Sequence, residues 1–424
     1  MQCHHATSPR LGVAAIALLA LGSFGCATLP ARAQAQAPAP PPPPAAGEDA
    51  PAAAPAAPTS PLTAPSLAGP LTANPTPMKF DAGPLDNIYV TGVASGLMLL
   101  QSDHVAGDHT ANFDVSNGQV IVQKIDGLLQ FYVQAGAYSL PALGTNYFTT
   151  QRAAAANGDY FGPLSVGYAK LVPSDIFSVQ AGSLPTLIGD EYTFTFQNMN
   201  IERGLLWNLE PAISKGVQAN LTTGPVAWAV SWNDGFYSDR YNWVDGSATW
   251  TIDPANALAV TGGGNTGTAN VSTIAAPFAL NNADIVNLIY TYNNAPWTVS
   301  PYFQYTHNGH SAALTPGFTK DAETWGGAIL ANYAFADTPF NLSGRFEYVS
   351  SSGSLANGNV NVLFGPGSSA WSLTLTPTYQ QGIFFARAEG SVVQADGTSA
   401  GFAFGKTGTS KTQGRFLLEA GIMF

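Results

Sequence analysis

Charge is scarce in this chain but concentrated between residues 185 and 215, where Asp190, Glu191, Glu202, Arg203, Glu210 and Lys215 stand among Leu205, Leu206, Trp207 and Leu209. Further along, Arg345 stands two residues from Glu347, Arg387 two from Glu389, and Arg415 four from Glu419. An even spacing puts two side chains on the same face of a strand. Acids and guanidinium groups facing each other across water make a transverse field that orients dipolar solutes and selects ions by charge. The same groups in contact would be ion pairs that brace a wall.

Other chemistries find little support. Ser, Thr and His are present, but no Gly-x-Ser-x-Gly elbow marks a nucleophile. His104, His109, His307 and His310 all fall in expected loops, and the His307-x-x-His310 spacing with Glu323 nearby is too loose to define a metal site. No phosphate loop or dinucleotide fingerprint occurs, so neither a cofactor nor a metal is expected. A net charge of −11 without a basic cluster argues against nucleic acid. The two cysteines, Cys3 and Cys26, both lie near the start.

The elements that must position these groups follow from composition and period. Charged residues make up 10% of the 424 positions and apolar residues 46%, whereas a soluble protein usually carries ~25% charged residues. Aromatics at 11% exclude disorder. Helical membrane spans need runs of ~20 apolar residues, and the chain has one comparable run, at its N-terminus. Residues 1–33 read as a signal peptide: Arg10, an apolar core from Leu11 to Leu21, then Ala31-Arg32-Ala33 as the cleavage pattern. Lipid attachment at Cys26 is the alternative, although Phe24 is bulky for that signal. Residues 34–78 are rich in Ala and Pro, with Pro40 to Pro44 in one run, and read as a disordered periplasmic linker.

From residue 79 to 424 the chain alternates. In Trp371-Ser372-Leu373-Thr374-Leu375-Thr376-Pro377-Thr378-Tyr379 one face is oily and the other hydroxylated. The segments at 226–233, 297–306 and 415–424 repeat the pattern, while 88–100 and 112–125 blur it. Aromatics (Trp243, Trp297, Trp325, Trp371, Tyr333, Tyr379) recur at strand ends, as interfacial girdles require. Short turns fall near Asp126-Gly127, Pro173–Asp175, Gly224-Pro225, Asp253–Asn256, Asn294–Pro296, Asp337–Pro339 and Gln381-Gly382. Long polar connections lie between them, near 101–111, 139–160, 185–215, 234–245, 263–283, 307–323, 351–370 and 395–413. The expected fold is all-β, a transmembrane antiparallel β-barrel of about sixteen strands, with fourteen to eighteen left open. Short turns would face the periplasm and long loops the exterior. Phe424, on the outward face of the last strand, is similar to the signal that delivers bacterial outer-membrane barrels to their assembly machinery.

A more specific likeness lies between 189 and 235. Gly189-Asp190-Glu191-Tyr192, Asn198 to Glu202, Arg203-Gly204-Leu205-Leu206-Trp207-Asn208-Leu209, Gly216-Val217-Gln218-Ala219 and Trp232-Asn233-Asp234-Gly235 together resemble the putative beta-barrel porin-2 family, also called OmpL-like. The resemblance extends over about 80–424 and leaves the Pro-rich segment outside. It implies an outer-membrane channel but names no solute.

These readings converge on a Gram-negative porin that passes small hydrophilic solutes and ions by diffusion. The 185–215 loop is expected to fold inward, with Asp190, Glu191, Glu202 and Arg203 at a constriction and its Leu/Trp cluster against the wall. An external cap packed on the rim is the alternative. Strand parity turns Arg345, Glu347, Arg387, Glu389, Arg415 and Glu419 inward, since a charge facing lipid at mid-bilayer would cost ~2–4 kcal/mol. Residues 79–424 hold 24 acids and 13 bases, and Asp103, Asp108, Asp159, Asp234, Asp239, Asp284, Asp321 and Glu323 are read as loop residues, so a mild cation preference is expected. Expected partners are outer-membrane lipid, lipopolysaccharide and permeating solutes, with a homotrimer consistent with the flat oily face. A structural or adhesive barrel with a closed lumen is the rival reading, and an outer-membrane enzyme a more distant one.

Overall fold

The computed structural model describes residues 60–155, 160–270, 272–273, 277–310, 319–360 and 362–424. The signal segment 1–33 with its Cys26 alternative, linker residues 34–59, and Asp159 lie outside the described residues.

A short leader, β1 (Met78–Asp81), precedes sixteen longer strands. These are β2 (Asn87–Gln101), β3 (Ala111–Lys124), β4 (Leu129–Tyr138), β5 (Val166–Ser174), β6 (Phe177–Pro185), β7 (Ile213–Thr223), β8 (Val226–Asn233) and β9 (Trp243–Asp253). The second half comprises β10 (Asn256–Asn265), β11 (Ala283–Asn294), β12 (Trp297–Asn308), β13 (Ala322–Ala334), β14 (Phe340–Ser351), β15 (Ser369–Gln381), β16 (Phe384–Asp396) and β17 (Thr412–Met423). From β2 onward each strand pairs antiparallel with the next, and β17 pairs back to β2 from Arg415↔Gln101 to Met423↔Val93. The sheet is therefore a closed sixteen-strand barrel, and closure leaves no edge to aggregate. The leader β1 pairs with the start of β2, from Met78↔Val90 to Asp81↔Asn87.

Alternation sorts the two faces. Trp371, Leu373 and Leu375 are exposed on the outside at 38–51%, while Ser372, Thr374 and Thr376 between them are fully buried inside. Trp297 and Tyr333 stack edge to face near the short-turn end, and Phe340 lies against Tyr379 there. Trp325 lies beside Tyr348 toward the long-loop end. Trp243 departs from the expected girdle: it is buried inside, edge to face with Phe236, because its odd position in β9 shares the inward face of Asp245. A bulge opposite Ser95 and Gly96 leaves Ser116 unpaired and switches the parity of β3 midway. That switch is why the alternation blurs in the first two strands.

Three sequence placements shift slightly. His307 lies in β12, Asp284 in β11 and Glu323 in β13, so none of them is a loop residue. Residues 64–71, expected to be part of a disordered linker, are instead half-buried or buried against the inward face of the barrel. Leu71 is 2% exposed and clusters with the inward Val93, Ile121, Phe385 and Met423. Apolar burial of that kind is what the low-complexity reading of this stretch had no means to anticipate.

Candidate functional site: the charged lumen and its inward loop

The long segment between β6 and β7, residues 186–212, runs through the barrel interior. Its apolar members Leu205, Leu206 and Leu209 cluster with the inward Ile289, Tyr302 and Leu330 of the wall. Its polar backbone cannot be left without partners in that setting. Wall carboxylates supply them. Glu389 accepts the N–H groups of Ile201 (2.5 Å) and Glu202 (3.0 Å), and Glu347 accepts those of Leu205 (3.0 Å) and Leu206 (3.3 Å). Thr376 and Ser372 hydroxyls, each 2.7 Å away, hold these two carboxylates in place. Gly204 permits the approach, since a Cβ there would stand 2.1 Å from a Glu347 oxygen.

The arginines do the complementary work. Arg345 pairs with Glu191 of the loop at 2.5 Å, donates to the Glu202 carbonyl at 2.7 Å, and lies 3.3 Å from Glu347 on its own strand. Arg415 pairs with the Glu202 carboxylate at 2.6 Å and donates to Gln101 and to the carbonyls of Ala142 and Thr145. Arg387 pairs with Glu419 on the neighbouring strand, not with Glu389, and reaches the carbonyls of Asn198 (3.1 Å) and Thr195 (2.9 Å). Glu419 also accepts the Thr195 hydroxyl at 2.7 Å.

All of these charged groups are buried, at 5% exposure or less. A field needs a gap between its poles, and here the poles touch. The expectation of wall arginines facing loop acids across open water is therefore replaced by contact pairs that fasten the loop to β14–β17. Asp190 belongs to no such pair. It is half-buried near Ser300, and burial raises its carboxyl to about 7. Glu210 is buried with neither oxygen hydrogen-bonded, and burial together with Glu191 and Asp190 pushes its carboxyl well above the ordinary range. Arg203 is buried without a hydrogen bond to its guanidinium, which lies 5.2 Å from the Trp207 ring centre. Its burial lowers its pKa to about 10.

A second inward loop escaped the sequence reading. Residues 139–147 cover the first loop: Leu143 N–H donates to the Arg203 carbonyl (3.0 Å), and Asn208 donates to the Leu143 carbonyl (2.8 Å). Phe364 and Phe404, from the connections after β14 and β16, meet edge to face with ring centres 5.3 Å apart in the same cluster as Leu143. The signal was present in Leu140, Leu143 and Tyr147, apolar residues that an external loop has no need to carry.

A closed sixteen-strand barrel with an oily outer band and a polar, charge-braced interior is the architecture of an outer-membrane, porin-type channel. The model of the putative beta-barrel porin-2, OmpL-like family matches residues 87–424, and the chain belongs to that family. Among solved structures it is similar to the outer-membrane expressed OmpT of Vibrio cholerae, at 13% identity over 82% of this chain and 100% of that one, with a TM-score of 0.52. It is also similar to the outer membrane channel DcaP of Acinetobacter baumannii, at 11% identity over 80% and 97%, again with a TM-score of 0.52. At such identities the likeness is one of fold. Comparison with curated proteins finds no match.

Proposed function

We propose that this porin-type barrel passes small hydrophilic solutes and ions by diffusion through a lumen narrowed by residues 186–212, with a mild preference for cations. The carrying observation is the fastening of that loop: buried wall carboxylates on its N–H groups, and buried arginines on its acids and carbonyls. Such pairs hold a loop in one geometry, as a size-selective passage requires. They also neutralise the wall arginines, so the net charge left to act on ions is acidic. It includes the exposed Asp103 and Glu323 toward the long-loop end and Asp190 on the loop itself. A surface potential of that sign concentrates cations.

In this reading the N-terminus and short turns are periplasmic. The Asp190, Glu191, Glu202 and Arg203 group forms the constriction, and Arg345, Glu347, Arg387, Glu389, Arg415 and Glu419 form its seat. Phe424 would be the residue read by the assembly machinery. Proteoliposome swelling in sugars of graded size tests the diffusion reading. Uptake should be non-saturable and fall sharply above a size limit. Saturation at low solute concentration would instead favour a specific binding site, and no swelling would favour a sealed barrel.

A further inference from the structure

We propose that residues 60–77 are a built-in strap that occludes the short-turn end of the lumen, so that the channel conducts fully only when this segment is displaced. The inference rests on the porin-type reading and extends it to regulation. Three glutamines hold the strap. Gln123 of β3 donates to the Ala64 carbonyl at 2.7 Å. Gln197 of the inward loop accepts the Ala68 N–H at its carbonyl (2.8 Å) and donates its side chain to the Ser66 carbonyl (3.3 Å). Gln380, beside the β15–β16 turn, accepts the Thr72 N–H (2.8 Å) and donates to the Thr72 carbonyl (2.9 Å).

The strap therefore reaches from the rim up to the underside of the constriction loop and back. Leu71 fills the space between β2, β3, β16 and β17. A cavity of about 60 Å³ lies between Ala64 and Ser66 of the strap, Tyr132 and Phe194, room for a few waters.

The composition suits a removable part. Residues 60–77 carry no charged side chain, so displacing them breaks no ion pair. Pro61, Pro65, Pro70, Pro75 and Pro77 lack an N–H, which reduces the donors left without partners inside the barrel. The strap adds nothing to the closed sheet, since β2–β17 complete the ring without it. The chain joins the sheet only after the strap, where β1 pairs with β2.

Unitary conductance in planar bilayers tests the strap on the full chain, on a variant lacking residues 60–75, and on the double variant Thr72→Cys/Gln380→Cys. Barrel formation in each is verified by heat-modifiable migration in gels. The deletion should conduct at a level severalfold above the full chain. The oxidised double variant should be held at the low level, and reduction should restore the openings of the full chain. Equal conductance of deletion and full chain would overturn the strap while leaving the channel standing. Absence of conductance from every folded variant would overturn the channel reading and the strap with it.

Discussion

The guanidinium of Arg345, on wall strand β14, meets the carboxylate of Glu191, on the inward loop, at 2.5 Å with both side chains buried. Removing one partner leaves a lone charge in a dry interior, which costs about 3–5 kcal/mol, whereas replacing both with apolar residues of similar volume is far less costly. Arg345→Ala should therefore lower urea stability by that order, and Arg345→Met with Glu191→Leu should recover most of the loss. Equal destabilisation by the single and double variants would mean that the pair does not fasten the loop.

Gly204 makes a sharper case, because it acts through space rather than charge. A methyl group there would collide with the Glu347 carboxylate that receives the Leu205 and Leu206 N–H groups. Leaving buried donors unmet costs about 1–3 kcal/mol. Gly204→Ala should destabilise by about that amount and broaden single-channel current levels as the loop loosens. A variant with native stability and unaltered current levels would contradict this placement of Glu347.

Asp190 should make the channel pH-dependent. Burial raises its carboxyl to about 7, so it is mainly neutral below that pH and charged above it. Cation preference should rise between pH 6 and pH 8, and Asp190→Asn should flatten the change. The stability sign is opposite. A carboxyl raised above its unfolded value of ~3.9 binds its proton more tightly when folded, so stability falls as pH rises from about 4 to about 7. Selectivity with no pH dependence in the native chain would sink this role.

The outer face and the strand count were legible in the sequence because period and turn chemistry are local properties. Parity says which face Arg345 or Arg387 belongs to. It cannot say whether that group meets water or a carboxylate from a segment far away in the chain. Arg387 illustrates the limit: its neighbour at two residues' distance is Glu389, yet its partner is Glu419 across the β16–β17 pairing. Leu71 and Trp243 were misread for a related reason, since an interior filled by loops buries apolar residues that a water-filled one would exclude. The inward Leu97, Leu99 and Leu417, which cluster with Tyr147 and Ile201 of the two inward loops, carried that message in plain sight.

The barrel seam offers a test of assembly. Gly92 and Phe424 exchange backbone hydrogen bonds of 2.8 and 3.0 Å, and the Phe424 ring covers the place where a Gly92 Cβ would stand 2.5 Å from its Cζ. Gly92→Leu should displace the terminal ring and slow barrel closure, seen as a larger unfolded fraction by heat-modifiable migration. Gly96→Ala is the control, as a Cβ there has its nearest neighbour at 3.8 Å. Equal folding of the two variants would contradict the account of the seam.

Planar-bilayer recording of the native chain under a salt gradient tests the central claim most directly. A porin-type channel narrowed by a fastened acidic loop predicts discrete, low unitary steps and a reversal potential of the sign given by excess cation flow. A membrane that stays silent after verified insertion, or a reversal potential of anionic sign, would contradict it.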